Sequence, residues 1–299
     1  MKTMALTGGT GFVGRRVIAQ AIGQGWHVRA LTRRAQPAEP NVSWVRGALD
    51  KPDSLAELVA HADAVVHVAG VVNAPDAAGF TAGNVQGTRA ILDAAEAGGI
   101  RRFVHISSLS AREPQLSIYG ASKRAGEDLV AASDRDWTIV RPTGVYGPGD
   151  TEMRDMFRMA RTGLALLPPP GRIALIAVDD LARLLLALAD SDGPRAILEV
   201  DDGNPMSHAE LARMIGDAVG QRVLPMHLPA GLLRIGAKLD QKFRGTAAKL
   251  TEDRARYLAH PDWTADPARR PDPRLWEPRI ATARGLADTA AWYRAHGLL

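Results

Sequence analysis

Short apolar runs alternate with segments of helical spacing through the first half of the chain. Apolar runs bounded by turn residues are typical of buried parallel strands. They cover residues 3–7, 28–32, 42–45, 64–68, 103–106 and 137–140. Apolar residues at helical spacing cover residues 12–24, 55–60, 87–97 and 120–132. The alternation predicts an α/β fold with a Rossmann-type, doubly wound parallel sheet.

The pattern changes after Gly147-Pro148-Gly149. Residues 168–171 read Pro-Pro-Pro-Gly, helical spacing returns at 180–189 and 207–219, and residues 263–279 are rich in Pro, Arg and Asp. We therefore expect a Rossmann domain at 1–149. A smaller, mixed lobe at 150–299 would be interleaved with the last strands of the sheet and would bind the substrate.

Three glycines, Gly8, Gly11 and Gly14, occupy the first predicted strand-to-helix junction. At such a junction the first glycine permits a tight turn, the second lets a pyrophosphate approach the backbone, and the third lets helix and strand pack closely. The spacing predicts a dinucleotide site rather than an ordinary turn. Its expected contacts are Thr7, Gly8, Thr10, Gly11, Phe12, Val13 and Gly14.

The second predicted strand ends in Arg33-Arg34 and carries no acidic residue there. A carboxylate at this point binds the ribose hydroxyls of NAD, whereas arginine binds the 2′-phosphate of NADP. The pair favours NADP(H), with NAD(H) as the alternative. The other interpretation of Arg33-Arg34 is a solvated basic loop.

Tyr119 and Lys123 lie four residues apart at the start of a predicted helix, on one face. A lysine ammonium beside a phenol stabilises the phenolate and lowers the pKa of the tyrosine. The pair is typical of a general acid and base that exchanges a proton with a carbonyl or an alcohol. Ser107-Ser108, at the end of the preceding predicted strand, supplies a third polar group.

The composition narrows the function classes. The 37 basic and 33 acidic residues give a formal net charge of +4, and the arginines are spread rather than clustered, so no nucleic-acid partner is expected. The absence of Cys excludes disulfides and thiol nucleophiles. The histidines lack metal-ligand spacing, so no metal is expected, and His67 and His105 are interpreted as buried, hydrogen-bonded side chains.

No apolar stretch is long enough to cross a bilayer, and the first strand opens at the third residue, so a soluble cytoplasmic protein is expected. Residues 228–239 combine Leu232, Leu233, Ile235 and Leu239 with Arg234 and Lys238. We interpret this amphipathic stripe as core, with contact to a membrane surface as the less favoured alternative.

Taken together, the motifs resemble the extended short-chain dehydrogenases/reductases, a family that includes NAD(P)-dependent epimerases and dehydratases. The resemblance covers nearly the whole chain. It is carried by the Thr7 to Gly14 turn, His67-Val68-Ala69-Gly70, Asn84-Val85-Gln86-Gly87-Thr88, His105-Ile106-Ser107-Ser108, Tyr119 to Lys123, and Arg141 to Gly149.

The resemblance implies a role for each matching residue. Ser108 would orient the substrate, with Ser107 as the second candidate, Tyr119 would be the acid and base, and Lys123 would hold the nicotinamide ribose. Asn84 would have either a positioning role or a helix-cap role. The remaining cofactor contacts would be Leu49, Val68, Ala69, Gly70, Pro142, Thr143, Gly144 and Val145.

Two segments depart from the pattern of the family. Gly47-Ala48-Leu49 replaces the usual Gly-Asp-Leu, so the adenine contact would come from the backbone or from a displaced acid. Leu109-Ser110 replaces the Asp-Glu pair of the dehydratases, which disfavours dehydration.

We therefore expect an enzyme that transfers hydride reversibly between NADP(H) and a secondary alcohol or ketone. The nearest alternative is a nucleotide-sugar epimerase, which would use the same Ser108, Tyr119 and Lys123. A non-catalytic NADP(H)-binding sensor or assembly factor is the alternative of another class. The partner is a small-molecule substrate that the sequence does not identify. A homodimer is possible, and the sequence does not decide the oligomeric state.

Overall fold

The computed structural model describes residues 1–193, 195–244 and 251–299 and divides into two units, each built from three segments of the chain. The first unit consists of Met1–Pro142, Val178–Val200 and Pro267–Glu277. The second consists of Thr143–Ala177, Asp201–Asp266 and Pro278–Leu299. The chain thus leaves the first unit near the expected boundary at 149 and returns to it twice.

Strands and helices alternate as follows. The strands are β1 (Thr3–Thr7), β2 (His27–Thr32), β3 (Val42–Arg46), β4 (Ala64–His67), β5 (Arg102–Ile106), β6 (Asp136–Pro142), β7 (Gly144–Tyr146), β8 (Leu164–Leu167), β9 (Arg172–Ile173), β10 (Leu175–Ala177), β11 (Ala196–Val200), β12 (Met206–Ser207), β13 (Leu224–His227) and β14 (Asp262–Trp263). The helices are α1 (Phe12–Gly23), α2 (Pro52–Val59), α3 (Ala77–Thr81), α4 (Gly87–Ala97), α5 (Ile118–Ala131), α6 (Arg154–Ala160), α7 (Val178–Asp190), α8 (His208–Val219), α9 (Ala230–Arg244), α10 (Glu252–Leu258) and α11 (Thr282–Ala295).

The first unit contains a seven-stranded parallel sheet with the order β11-β6-β5-β4-β1-β2-β3. The chain begins in the middle at β1, builds β2 and β3 on one side, and then crosses to β4 on the other. This reversal of direction creates a switch point between β1 and β4, outside whose carboxyl ends ligands bind in doubly wound folds. The predicted fold class is confirmed.

Buried apolar side chains explain why these segments form strands and helices. β4 and β5 are buried at every position, as expected of strands covered on both faces. The helices α2, α4 and α5 pack apolar faces onto one side of the sheet, and Leu58, Ile91 and Phe103 are fully buried there.

The second unit has its own apolar core. Phe157 of α6 and Tyr293 of α11 stack edge to face with ring centroids 5.1 Å apart, beside Tyr146 of β7. The predicted helix at 207–219 is α8, and Ser207 and Glu210 form a capping box at its start. α11 was not predicted from the sequence, because Gly285, Thr289 and Ala290 make up much of its buried face and weaken the apolar periodicity.

The amphipathic stripe at 228–239 lies mostly in α9, and its interpretation as core is wrong for two of its residues. Leu233 is buried against Leu228 and Ala255, whereas Leu232 and Ile235 are 53% and 56% exposed. α9 packs against α10, so its apolar residues are divided between a covered and an open face. The side chains of Arg234 and Leu239 lie outside the described part of the structure. Among the described residues, no helix has the length and apolarity needed to cross a membrane.

A buried network of charges joins β6, α5 and β11. Arg141 donates from Nε and Nη2 to the two carboxylate oxygens of Glu127 at 2.8 and 2.6 Å, and from Nη1 to Glu199 at 3.3 Å. Arg112 donates to the other oxygen of Glu199 at 3.3 Å. Every member has a partner of opposite charge, which offsets the cost of removing these groups from water.

We expect Glu127→Ala to lower the free energy of unfolding by about 3–5 kcal/mol, because it leaves the buried Arg141 without its bidentate partner. Urea unfolding followed by circular dichroism measures the loss. Asp128→Ala is the matched control on the same helix, since Asp128 forms an exposed pair with Arg124 that contributes little. Equal losses in the two variants would contradict the importance of the network.

Candidate active site

The glycine turn after β1 packs directly against the end of β4. Gly8 has φ of +75°, and a Cβ on this residue would lie 2.7 Å from the amide nitrogen of Ala69. A Cβ on Gly14 would overlap the carbonyl oxygen of Gly8. The turn is closed by the Gly11 amide, which donates to Gly8 O at 3.0 Å. Only glycine satisfies both the backbone conformation and the close approach.

The start of α1 offers amide groups to an anion. Its N-cap residue, Gly11, provides no side-chain hydrogen bond, and the first turn contains no acidic residue. Thr10 and Gly11 are exposed, and Phe12 and Val13 are half-buried. An uncapped helix N-terminus of this kind suits a pyrophosphate, since the amides and the helix dipole both favour negative charge.

A buried histidine joins the ends of β1 and β4. His67 Nδ1 lies 2.6 Å from the hydroxyl of Thr7, which also accepts from the Ala69 amide at 3.1 Å. His67 Nε2 lies 3.1 Å from the hydroxyl of Thr88, which donates to Asn84 O. The Thr88 hydroxyl donates its one proton to Asn84 O and therefore accepts from Nε2. Because burial keeps the imidazole neutral, Nδ1 accepts from the Thr7 hydroxyl. The hydrogen bonds thus hold a neutral imidazole, and the predicted hydrogen-bonded His67 is confirmed.

Asn84 fixes the loop that follows β4. Its side-chain oxygen accepts from the Val71 amide at 2.7 Å, and its nitrogen donates to Val71 O and to Ser122 Oγ, each at 2.9 Å. Ser122 in turn donates to Tyr119 O at 2.7 Å. Asn84 lies within a π-helical turn at Ala82–Gln86, so the helix-cap interpretation is wrong and the positioning interpretation is confirmed.

The three candidate catalytic residues meet at the carboxyl end of β5. The phenol of Tyr119 lies beside Ser108, which follows β5 and accepts from Ser110 Oγ at 2.9 Å. Lys123, one turn further along α5, donates from Nζ to Ile106 O at 2.7 Å and lies 3.6 Å from where a Cβ of Gly70 would be. The neighbouring Ser107 is buried, and its hydroxyl has no hydrogen-bond partner among the described residues.

Burial sets the protonation of this cluster. It lowers the pKa of Lys123 to about 8, with the negative charge of Glu127 acting in the opposite direction. It raises the pKa of Tyr119, which the hydrogen bond from Ser108 offsets in part. The expectation that Lys123 lowers the pKa of Tyr119 is therefore wrong for this arrangement, in which the ammonium is bound to the carbonyl of Ile106.

Two imidazoles surround the buried ammonium. His67 and His105 stack with ring centroids 5.2 Å apart. Burial, followed by the positive charge of Lys123, lowers the pKa of His67 to about 3 and that of His105 well below its usual value. Neither ring nitrogen of His105 has a hydrogen-bond partner within the described ranges, so the expectation of a hydrogen-bonded His105 is wrong.

Three exposed arginines lie at the carboxyl ends of β2 and β3. Arg33 and Arg34 follow β2, and the Thr32 hydroxyl donates to Arg34 O at 2.7 Å, which fixes the start of the loop. Arg46, which the sequence analysis missed, ends β3 in register with Thr32. In the part of the chain that the structure describes, none of the three arginines forms an ion pair. Comparing the ends of adjacent parallel strands would have found Arg46.

The remaining predicted contacts are distributed between the two units. Leu49 turns its side chain into the core, where it packs against the start of α4, which leaves only its backbone for adenine. Val68 and Ala69 are half-buried and Gly70 is exposed beside the glycine turn. Pro142 ends β6 in the first unit, whereas the second unit contains Thr143, Gly144 and Val145.

Comparisons with known proteins agree on the fold and the cofactor class. A family model described as NAD(P)H-binding matches residues 8–192. The chain is 37% identical to a ceramide reductase of Caulobacter vibrioides, covering 99% of this chain and 96% of the relative. It is 25% identical to a UDP-glucose 4-epimerase of Vibrio cholerae, covering 80% and 82%. The solved structure of MoeE5 in complex with UDP-glucose and NAD has the same fold, with a TM-score of 0.75, 22% identity and 99% of each chain covered.

We expect Gly8→Ala to weaken nucleotide binding at least about tenfold, because the methyl group meets the Ala69 amide and displaces the turn. Gly25→Ala is the matched control: Gly25 has φ of +78° but nothing within 4 Å of its Cβ position. Both variants carry the same backbone strain, so titration of NADPH fluorescence separates strain from displacement. Equal affinities in the two variants would contradict the close approach at Gly8.

Proposed function

The chain belongs to the NAD(P)H-binding family of extended short-chain dehydrogenases/reductases, and from this membership we propose that it is an NADPH-dependent reductase. Its reaction would convert a ketone on a ceramide-type lipid amide to a secondary alcohol. The observation that carries the proposal is the meeting of Ser108, Tyr119 and Lys123 beside the loop that borders the glycine turn. The relatives of the chain include oxidoreductases and epimerases, so the proposal concerns the cofactor, the substrate and the residues that act on it.

The residues around β1, β2 and β3 fit a dinucleotide with a 2′-phosphate. The glycine turn leaves room for a pyrophosphate at the start of α1. Arg33, Arg34 and Arg46 bring three guanidinium groups to the strand ends where the adenosine ribose lies in such folds. Guanidinium binds phosphate bidentately, and no carboxylate at the end of β2 is present to select the ribose hydroxyls of NAD. These features support NADPH.

The chemistry divides between the cofactor and the side chains. When bound, the reduced nicotinamide supplies a hydride to the carbonyl carbon. Tyr119 donates its phenolic proton to the carbonyl oxygen, and Ser108 donates a hydrogen bond to the same oxygen. Hydride and proton together convert the ketone to the alcohol, and the ammonium of Lys123, which lies beside Gly70, would hold the nicotinamide ribose.

The raised pKa of Tyr119 keeps its phenol protonated, which is the form that donates to a carbonyl oxygen. A phenol whose pKa lies above its usual value is protonated at neutral pH and is ready to donate.

The substrate class rests on the ceramide reductase relative. That match extends over almost the full length of both chains at 37% identity. The match to the UDP-glucose 4-epimerase is weaker, at 25% identity over 80% of this chain. Epimerisation of a nucleotide sugar would use the same three residues and stays the second candidate.

We expect Arg33→Ala combined with Arg34→Ala to weaken NADPH binding roughly 100-fold while NADH binding changes little. The double substitution removes two guanidinium groups, and with each of them a charge-assisted contact to the 2′-phosphate is lost. Titration of both nucleotides measures the difference, with the exposed pair Arg89→Ala and Arg284→Ala as control. Equal loss for both nucleotides would remove the case for NADPH. Wild-type protein that keeps NAD through purification would instead favour the epimerase.

Oxidation of NADPH in the presence of a ketone-bearing ceramide tests the reaction itself. We expect Tyr119→Phe to lower kcat by about 10²–10⁴-fold with unchanged NADPH affinity, because the proton donor is lost. In the wild type, kcat should fall as the pH rises through about 8, where Lys123 loses its proton. Lys123→Arg keeps its charge and should move this fall to higher pH. Full activity of Tyr119→Phe would overturn the assignment.

A further inference from the structure

The second unit exposes an apolar sheet face. β8 and β13 pair in parallel, with Leu166 opposite Met226. The side chains that alternate with these pack into the core, as the burial of Ala165 and Leu167 shows. Leu166 and Met226 are 47% and 46% exposed, and Leu224, two residues before Met226, is 64% exposed. The outer face of this two-stranded sheet is therefore apolar and exposed, and on the opposite face β8 is buried whereas His227 of β13 is exposed.

Further exposed apolar side chains follow in α9, which comes directly after β13 along the chain. Leu228 donates its amide to Leu167 O at 2.8 Å, so the segment leading to α9 is bound to the end of β8. Two residues later α9 begins, and it exposes Leu232 and Ile235. We call these five residues, Leu166, Leu224, Met226, Leu232 and Ile235, the apolar patch. It contains every exposed large apolar side chain of the described part of the second unit.

Basic residues are frequent in the part of the sequence that contains most of the apolar patch. Residues 220–244 contain five basic residues, Arg222, Arg234, Lys238, Lys242 and Arg244, and one acidic residue, Asp240. Their net charge of +4 equals that of the entire chain. Arg161 and Arg222, both exposed, precede β8 and β13, and the exposed Lys238 and Lys242 lie one and two turns beyond Ile235 on α9.

We propose that the apolar patch is a docking surface for an anionic lipid bilayer. Exposed leucine, isoleucine and methionine side chains would enter the boundary between headgroups and acyl chains, while the flanking lysines and arginines would contact lipid phosphates. Long cationic side chains suit this position because their stems lie along apolar surface and their charges stay in water.

A second copy of the chain fits this surface less well. In a twofold dimer the same patch faces itself, so the positive charge of residues 220–244 would meet an identical positive charge. An anionic bilayer provides apolar and negatively charged partners at once. The inference does not depend on the proposed substrate, since vesicles without any ketone lipid test it.

Flotation of the full-length protein with lipid vesicles measures the docking. We expect binding to phosphatidylcholine vesicles that contain phosphatidylglycerol to exceed binding to pure phosphatidylcholine at least about tenfold. Raising the salt from about 0.1 M to about 1 M should lower the binding, since salt screens the attraction. NADPH titration of every variant confirms that the first unit is intact.

Variants separate the charges from the apolar side chains. Lys238→Glu with Lys242→Glu should reduce vesicle binding at least about tenfold, and so should Leu232→Ser with Ile235→Ser. Arg89→Glu with Arg284→Glu makes the same change in net charge outside residues 220–244 and should leave binding unchanged. Both arginines are exposed.

Three results would overturn the proposal. The first is equal binding to vesicles with and without phosphatidylglycerol. The second is a loss of vesicle binding in the Arg89→Glu with Arg284→Glu control as large as that in Lys238→Glu with Lys242→Glu. The third is a dimeric wild-type protein that does not bind vesicles and that Leu232→Ser with Ile235→Ser converts to a monomer, measured by light scattering. That third result would show that a second copy covers the patch.

Discussion

A series of buried hydrogen bonds runs from Thr7 at the end of β1, through His67 and Thr88 to Asn84, and on through Ser122 to the backbone of Tyr119. It links the strand that carries the glycine turn to the helix that carries the candidate acid. Buried hydrogen-bonding groups are costly to leave unpaired, so this connection fixes the two elements relative to each other. The positions of the nucleotide turn and of the acid follow from it.

The same network contains an uncharged His67, whose Nδ1 accepts from the Thr7 hydroxyl. Burial and the nearby ammonium of Lys123 ensure this by lowering the pKa of the imidazole. Lys123 itself keeps its charge with help from Glu127, one turn further along α5. Glu127 also holds the buried Arg141 of β6. One face of α5 therefore carries the candidate acid, the buried cation and the carboxylate that anchors the sheet.

In the second unit, apolar side chains are exposed as well as buried. Its β8 and α9 each have buried apolar side chains on one side and exposed ones on the other, and β13 exposes Leu224 and Met226. Folding alone gives no reason to keep leucine, methionine and isoleucine exposed, since exposed apolar surface contributes nothing to the core. Their place among basic residues is best explained by a partner that is apolar and anionic.

The sequence by itself determined the alternation of strands and helices, the turn at Gly8 to Gly14, and the spacing of Tyr119 and Lys123, because these depend on residues that are close along the chain. It also predicted that Ser108 and the arginines after β2 lie at strand ends. Only the tertiary structure decided the role of Asn84, the addition of Arg46, the burial that raises the pKa of Tyr119, and the exposure of Leu232 and Ile235. Each of these depends on segments distant in sequence, since burial and desolvation arise only when such segments pack together.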